Sequence, residues 1–255
     1  MNILLVGNSF SVDVATYVHQ IAEAANKKID IYVLYIGGCP INLHYENLKS
    51  GAKAYEFYKN GCNTPIMWCS LQDGLNYKKW DYITFQQRSP DSGDETTFYP
   101  ELGLLMGEIR NYSKAKYLLH MTWSYAKNHS HEKYGSNPLN QEAMDLDIFK
   151  TYENVSKKMN VKQIIPSGKA IYETRKIFGD ICNRDGYHLS ELGRTVTGYL
   201  WAFYFLGLDI DVSKFKPSGY SYDQNSGPVN ENDLPKLIEI AKKVIRENKG
   251  HNLND

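Results

Sequence analysis

Short apolar runs alternate with longer amphipathic segments along the whole chain. Five runs rich in β-branched and aromatic residues are predicted to be strands, at 3–6, 29–36, 81–86, 117–122 and 162–166. Apolar residues at helical spacing predict helices at 12–25, 99–114, 146–159, 191–205 and 234–248. This alternation is typical of an α/β protein in which helices cover both faces of a parallel sheet.

The bulk properties of the chain fit one enzyme-sized domain. Its 255 residues carry 29 Lys and Arg against 29 Asp and Glu, so the formal net charge is zero. This balance argues against a nucleic-acid partner, and no apolar run approaches the length of about 20 residues that spans a membrane. We expect a single domain over residues 1–255, with a core at about 1–207. Residues 208–255 are predicted to form an irregular segment and a helix that packs on the core.

The chain enters its first predicted strand directly, without the charged and apolar regions of a signal peptide. This favours a cytoplasmic protein, although a chain whose signal peptide had been removed would look the same. The four cysteines lack C-x-x-C spacing and fit unpaired thiols in a reducing compartment. His129 and His131 could suggest a metal site, but histidines in such a polar loop are more often solvated. We therefore expect neither a metal nor a cofactor.

A serine follows the first predicted strand, where residues 6–11 read V-G-N-S-F-S. Ser9 lies between this strand and the first predicted helix. Unpaired N–H groups at a helix N-terminus favour negative charge that develops nearby, so Ser9 is a candidate nucleophile. The alternative is that Ser9 or Ser11 only caps the helix, which is a common role for serine after a strand.

A second polar motif precedes the helix predicted at 191–205. Residues 184–190 read R-D-G-Y-H-L-S, which places Asp185 and His188 in one tight loop. A carboxylate in such a loop can orient the imidazole so that its other nitrogen serves as the base for a serine. Considered alone, a surface turn that ends in a helix cap at Ser190 would explain the motif about as well.

Taken together, the two motifs resemble those of the SGNH (GDSL-type) hydrolases, which are serine esterases and lipases with a flavodoxin-like fold. Gly7-Asn8-Ser9 matches the family's N-terminal G-D-S, although Asn8 lacks the charge of the aspartate. Asp185 and His188 match its C-terminal D-x-x-H. The resemblance covers about residues 1–207. It implies a three-layer α/β/α sandwich around a five-stranded parallel sheet, with Ser9, His188 and Asp185 as a catalytic triad.

The resemblance also implies an oxyanion hole built from the N–H groups of Ser9 and Gly38 and from a side-chain amide. Gly38 follows the second predicted strand in Y-I-G-G-C, which spans residues 35–39. After the third strand most members carry G-x-N-D, whereas this chain reads Q-Q-R-S at 86–89. That departure is similar to carbohydrate-esterase branches and makes Gln86, or less readily Gln87, the expected amide donor. All of these residues follow strands of a parallel sheet, where such sheets bind ligands.

Aromatic residues are concentrated in two long connections, at 39–80 and 123–145, and long connections in compact domains are usually functional. Aromatic rings beside a polar cleft can stack on sugars, which favours an acylated carbohydrate or another small ester as the substrate. Asn8, Gln87 and Trp123 are the further candidate binding residues. The same rings could equally form a minor hydrophobic cluster beneath a loop.

The sequence therefore predicts a serine esterase that hydrolyses small acyl esters, with acetyl favoured, through an acyl-enzyme. Because the same triad chemistry serves several reactions, a lipid esterase, a thioesterase and an acyltransferase are alternatives. A non-catalytic carbohydrate-binding protein with this fold is a further alternative, although it gives no reason to retain Ser9, Asp185 and His188 together.

Overall fold

A seven-stranded sheet forms the centre of the molecule in a computed structural model that describes residues 1–62, 64–135, 137, 139–218, 228–253 and 255. In chain order the strands are β1 (Asn2–Gly7), β2 (Asp30–Tyr35), β3 (Tyr55–Lys59), β4 (Met67–Cys69), β5 (Tyr82–Phe85), β6 (Lys116–His120) and β7 (Ile164–Ile165). Their order across the sheet is β4-β3-β2-β1-β5-β6-β7. Strands β1, β2, β5, β6 and β7 are parallel, and they coincide with the five predicted strands.

The predicted number of strands is wrong, because β3 and β4 extend the sheet beyond β2. Strand β3 is antiparallel to β2, and β4 is antiparallel to β3. Both strands lie in the segment 39–80, which we expected to be one long connection. The five parallel strands alone have the order β2-β1-β5-β6-β7, which is the flavodoxin-like arrangement with its topological switch between β1 and β5.

Helices cover both faces of the sheet. They are α1 (Ser9–Ala15), α2 (Val18–Ala24), α3 (Ile41–Ser50), α4 (Leu71–Tyr77), α5 (Glu101–Ile109), α6 (Asn140–Met159), α7 (Ser167–Phe178), α8 (Glu191–Leu206) and α9 (Leu234–Glu247). Ile3 and Leu5 of β1 belong to one buried cluster, whereas Leu4 and Val6 belong to a second cluster on the other face. Because β1 is buried on both faces, its sequence is an unbroken apolar run rather than an alternating one.

The segment that connects β2 to β5 is ordered by its own local signals. Ser70 and Asp73 form a capping box at the start of α4: the Ser70 hydroxyl accepts from the Asp73 N–H at 3.1 Å, and the Asp73 carboxylate accepts from the Ser70 N–H at 3.0 Å. Phe57 and Trp80 pack against Tyr32 of β2, and Tyr55 is buried in the same hydrophobic cluster. These aromatic side chains therefore form the core of the sheet's antiparallel edge.

Three predicted helices differ clearly in their bounds, including α5, which is shorter than the predicted 99–114, and three helices, α3, α4 and α7, were not predicted. The helix expected at 12–25 is interrupted at Thr16 and Tyr17, where Gly61 packs so closely that a Cβ on it would lie 2.3 Å from the Thr16 carbonyl oxygen. Helix α6 begins six residues before the predicted start. Helix α7 was not predicted because the polar residues Thr174 and Arg175 occupy part of its buried face and interrupt the apolar pattern.

The C-terminal helix α9 packs on α7 and α8 through an apolar stripe that includes Leu237, Ala241 and Val244. Part of the predicted irregular segment, at 219–227, lies outside the described residues. No helix among the residues that the structure describes is both long enough and apolar enough to cross a membrane.

Candidate active site

A cavity of about 350 Å³ lies at the carboxyl ends of the parallel strands and includes Ser9, Gly38 and His188. Its other lining residues are Asn8, Phe10, Tyr35, Gly37, Arg88, Ser89, Pro90, Tyr125 and Tyr187. They follow β1, β2, β5 and β6 or lie in the loop before α8. The cavity is thus at the switch in strand order, where open α/β sheets bind ligands.

Ser9 is the first residue of α1, and the helix is capped by Asn8 rather than by a serine. The Asn8 side-chain oxygen accepts from the Phe10 N–H at 3.1 Å. Ser9 is half-buried and lines the cavity. Ser11 is 1% exposed and donates to Gln86 at 2.7 Å, so it does not reach the cavity. Of the two serines, Ser9 is therefore the accessible one.

Asp185 and His188 form a hydrogen-bonded pair at the wall of this cavity. The Asp185 Oδ2 atom accepts from His188 Nδ1 at 2.6 Å. The other carboxylate oxygen accepts the backbone N–H groups of Tyr187 at 3.2 Å and His188 at 2.8 Å. Partial burial acts to raise the pKa of Asp185, but the hydrogen bonds from His188 outweigh it and hold the pKa below its usual value. The carboxylate is therefore ionised at neutral pH.

The tight turn between Asp185 and His188 requires a glycine. Gly186 has φ of +97°, and a Cβ on it would lie 2.3 Å from the ring of His129. Its carbonyl oxygen accepts from the Ala126 N–H at 2.7 Å. The next residue, Tyr187, accepts at its carbonyl from the Trp123 indole N–H at 2.8 Å. These contacts join the loop to the segment that follows β6.

Trp123 packs beneath the residues that line the cavity and supports them, but it does not line the cavity itself. It is fully buried, contrary to its expected role as a binding residue. Its ring stacks on Phe10 with centroids 4.1 Å apart. Phe10 in turn contacts the ring of His188 edge-on, with centroids 6.1 Å apart. Trp123 thereby connects the start of α1 to the loop that carries His188.

A buried charged cluster lies beneath the same loop and was not predicted from the sequence. Asp13, on α1, accepts from Arg184 at 2.9 Å, from Arg194 at 2.9 and 3.0 Å and from the Leu189 N–H at 2.8 Å. Arg194 also pairs with Glu191 at 3.0 Å. Because Arg184 and Leu189 flank the Asp185–His188 loop, the Asp13 carboxylate holds both of its ends.

Two residues that line the cavity, Ser9 and Gly38, have backbone N–H groups with no acceptor among the described residues. Gly38 has φ of +60°, which favours glycine, and its N–H makes no hydrogen bond to another described residue. The same holds for the N–H of Ser9, which is one of the unpaired donors at the start of α1. Both groups are available to a negatively charged ligand atom.

The structure places the two glutamines away from the cavity. Gln86 is 1% exposed; its amide donates to Asn8 at 2.8 Å and its oxygen accepts from Ser11 and His120. Burial lowers the pKa of His120 to about 3, so this buried network is neutral. Gln87 is also 1% exposed and donates to Thr97. Both glutamines were expected to line the cavity, but neither does, because Asn8 and Thr97 already accept from their amides. Asn8 itself does line the cavity.

Tyr35, Arg88 and Ser89 line the cavity but were not among the expected site residues, whereas Tyr125 lies in the connection at 123–145 whose aromatic rings were expected beside the cleft. Tyr35 ends β2, and Arg88 and Ser89 lie within four residues of the end of β5, so position at a strand end was the signal that could have identified them. His44, which lies in the connection at 39–80, is buried and hydrogen-bonded to Tyr55 at 2.9 Å, and it does not line the cavity. These observations replace the expected aromatic mouth with a smaller set of rings around Ser9.

Comparison with solved structures defines the class to which this fold belongs. A candidate SGNH hydrolase from Slackia heliotrinireducens superimposes with a TM-score of 0.54 at 21% identity, over 79% of this chain and 97% of that chain. An acetyl xylan esterase superimposes with a TM-score of 0.50 at 13% identity, over 79% and 98% of the two chains. The chain therefore has the α/β/α fold of the SGNH hydrolases, with a mostly parallel sheet of seven strands.

By sequence the chain belongs to the DUF4886 family, a domain of unknown function whose model matches residues 2–229. A DUF4886 family protein from Bacteroides uniformis ATCC 8492 is 30% identical, with a TM-score of 0.85 over 100% of this chain and 98% of that chain. None of the curated proteins matches the chain.

Proposed function

We propose that this protein is a serine hydrolase in which Ser9 attacks an acyl ester, His188 transfers protons and Asp185 orients His188. The observation that carries the proposal is that Ser9, at the N-terminus of α1, and His188, hydrogen-bonded to Asp185, line one cavity. A nucleophile, a base and a carboxylate that orients the base are the components of an activated serine.

In the acylation step, the Ser9 Oγ atom forms a bond to the ester carbonyl carbon while its proton passes to His188. With Nδ1 engaged by Asp185, Nε2 is the ring nitrogen left to receive that proton. The tetrahedral intermediate collapses as the bond to the alcohol oxygen breaks, and His188 returns the proton to the departing alcohol. Water then attacks the acyl-enzyme in the same way, which releases the acid and restores Ser9.

The N–H groups of Ser9 and Gly38 are the proposed donors to the negatively charged oxygen of the intermediate. Ser9 begins α1 and Gly38 follows β2, so the fold fixes both donors before the charge develops. We replace Gln86 by Asn8 as the proposed third donor. Asn8 lines the cavity, and its amide nitrogen makes only a long contact of 3.3 Å with the Cys39 carbonyl. Gln86 would then act by fixing the orientation of Asn8.

For the substrate we propose small acyl esters, with acetyl favoured and the alcohol part a carbohydrate. Four aromatic rings line the cavity beside hydroxyl and amide groups, and a volume of about 350 Å³ holds a small acyl group with part of a sugar. An acetyl xylan esterase is among the proteins with this fold, so the scaffold is compatible with that chemistry.

The experiment compares acetyl, butyryl and octanoyl esters of 4-nitrophenol, followed by acetylated mono- and oligosaccharides. We expect kcat/KM to favour acetyl over octanoyl at least tenfold, which is about 1.4 kcal/mol of transition-state binding. A fluorophosphonate should label the protein once, on Ser9, and Ser9→Ala should abolish labelling. Labelling at another serine would refute the assignment of the nucleophile, and a preference for octanoyl would favour a lipid esterase instead.

A further inference from the structure

Arg88 is the permanently charged side chain in the lining of the candidate active-site cavity. The rest of the lining consists of aromatic rings, hydroxyl groups, one amide, small residues and His188. Arg88 directly precedes a 3-10 turn, Ser89–Asp91, soon after β5 ends. Its side chain is 43% exposed, so a ligand in the cavity can reach the guanidinium group.

One edge of this guanidinium is already occupied, and the rest is available. The Nε atom donates to Asp91 at 2.5 Å, and Asp91 is not part of the cavity lining. The two terminal nitrogens of Arg88 have no hydrogen-bond acceptor among the described residues. A guanidinium carries five N–H donors in a planar fork that matches a carboxylate. Asp91 thus orients the group while leaving its outer edge open for a second carboxylate.

Two hydroxyl groups extend this donor surface. The side-chain oxygens of Ser89 and Tyr125 lie 2.9 Å apart, and both residues line the cavity. Since only one of their two hydrogens is used in this contact, the other can be donated to a ligand. Arg88, Ser89 and Tyr125 are called the Arg88 patch below. A neutral sugar does not require such a charge, whereas an anionic group does.

The strand order places the Arg88 patch relative to the reacting atoms. Gly38 follows β2, Ser9 follows β1, and the patch follows β5 and β6, while the sheet order is β2-β1-β5-β6. Neighbouring strands are about 4.8 Å apart. An ester whose carbonyl oxygen lies at Gly38 therefore extends past Ser9 toward the patch, with room for a few bonds between the ester and an anionic group.

We propose that the natural substrate is an ester that also carries a carboxylate, and that Arg88 binds this carboxylate through its terminal nitrogens. The ester part of this inference rests on the proposed function, whereas anion binding by Arg88 does not. The carboxylate can belong to the acyl group or to the alcohol. Asp91 competes for the same guanidinium, so its charge limits the strength of binding.

The test uses pairs of esters in which a carboxylate is replaced by a neutral carboxamide of similar size, and rates are compared after scaling by the spontaneous reactivity of each ester. On the alcohol side, 4-acetoxybenzoate is compared with 4-acetoxybenzamide; on the acyl side, mono-4-nitrophenyl succinate is compared with 4-nitrophenyl succinamate. Spontaneous hydrolysis is subtracted in each case. For the wild-type protein we expect kcat/KM to favour the carboxylate at least about tenfold in one pair, because charge-assisted bidentate hydrogen bonds are among the strongest available. The pair that shows the preference identifies which part of the substrate carries the anion.

Variants assign that preference to Arg88. In Arg88→Gln we expect the ratio of kcat/KM for carboxylate over amide to fall to about one, and in Arg88→Lys to fall in between, since lysine keeps the charge but not the fork. Asp91→Asn should raise the ratio, because it removes the competing carboxylate. The exposed Lys236 of α9 provides the matched control, because Lys236→Gln removes the same charge far from the cavity lining.

A binding measurement separates the hydrolase proposal from the proposal that Arg88 binds a carboxylate. Calorimetry with 4-acetamidobenzoate and its neutral amide, 4-acetamidobenzamide, reports anion binding without any turnover. If the protein binds the carboxylate preferentially but hydrolyses no ester, the hydrolase proposal fails and the Arg88 inference stands. If the neutral esters are hydrolysed but neither pair nor the ligands show a preference, the Arg88 inference alone is wrong. A preference that persists in Arg88→Gln also overturns it.

Discussion

Two carboxylates hold one loop, Asp185 from within it and Asp13 from beneath it, and their surroundings are opposite. Asp185 is at the surface, with its side chain 35% exposed, and holds His188 at the cavity wall. Asp13 is 1% exposed and lies beneath the loop between two arginines. The exposed pair carries the proposed chemistry, whereas the buried cluster holds the ends of the loop in which that pair sits.

This difference shows how the Asp185–His188 loop can be exposed to solvent and still hold its side chains in defined positions. A contact between charged or polar side chains at the surface adds little to stability, commonly about 0–1 kcal/mol, so the Asp185–His188 contact contributes little to holding the loop. A buried carboxylate is costly unless positively charged groups pair with it, so the Asp13 side chain is held in the arrangement in which the two arginines reach it. Arg184 and Leu189 transmit that arrangement to the two ends of the loop.

The largest effect is expected at the exposed pair. Replacing His188 with alanine should lower kcat/KM by about a thousandfold or more, as should Ser9→Ala, because each removes the proton-transfer unit. The double variant should be scarcely worse than either single one, since members of a triad act together. Urea unfolding should change little. Losses that multiply in the double variant would show that the two residues are not partners.

An intermediate effect is expected at the buried cluster. Asp13→Asn removes the carboxylate that Arg184 and Arg194 share, while Arg194 keeps Glu191, so the free energy of unfolding should fall by about 3 kcal/mol. Because the loop loses its anchor, kcat should also fall, by about tenfold, at a temperature where the variant is still folded. Urea titration and initial rates measure the two effects. Wild-type kcat in the folded variant would contradict the positioning role of Asp13.

The smallest effect concerns a third carboxylate, Asp145, which is buried like Asp13 but lies 3.6 Å from a single arginine, Arg175. Burial raises the pKa of Asp145 to about 6, with Arg175 opposing the shift only in part. A carboxyl whose folded pKa is raised binds its proton more tightly in the folded state. Its contribution to stability is therefore lost as the pH rises from about 4 to about 6.

Asp145→Asn should remove that loss. Between pH 4.5 and pH 7.5, the free energy of unfolding of the variant should therefore rise by about 2 kcal/mol relative to that of the wild type. Urea titrations at both pH values measure the change. Burial lowers the pKa of both His44 and His120 to about 3, which acts in the opposite direction in both proteins. The difference between variant and wild type therefore isolates Asp145, and an equal pH dependence in the two would disprove its titration in this range.

The parts of the site that depend on local sequence could be predicted, whereas the partners of buried polar groups could not. Ser190 caps α8, as the alternative interpretation of its motif expected, through a contact with the Gly193 N–H at 3.4 Å. Gln86 illustrates the opposite case. Its partners Ser11 and His120 are 75 and 34 residues away, so no local pattern indicated that its amide is already engaged.

The sequence by itself determined the five parallel strands, the strand-end position of Ser9 and the short loop that pairs Asp185 with His188. These features depend on residues close together in the chain, where side-chain periodicity and turn chemistry act directly. Only the tertiary structure decided that β3 and β4 extend the sheet, that Asp13 anchors the loop and that Arg88 lines the cavity. These depend on contacts between distant segments, and their energies arise only once the sheet and its helices have packed.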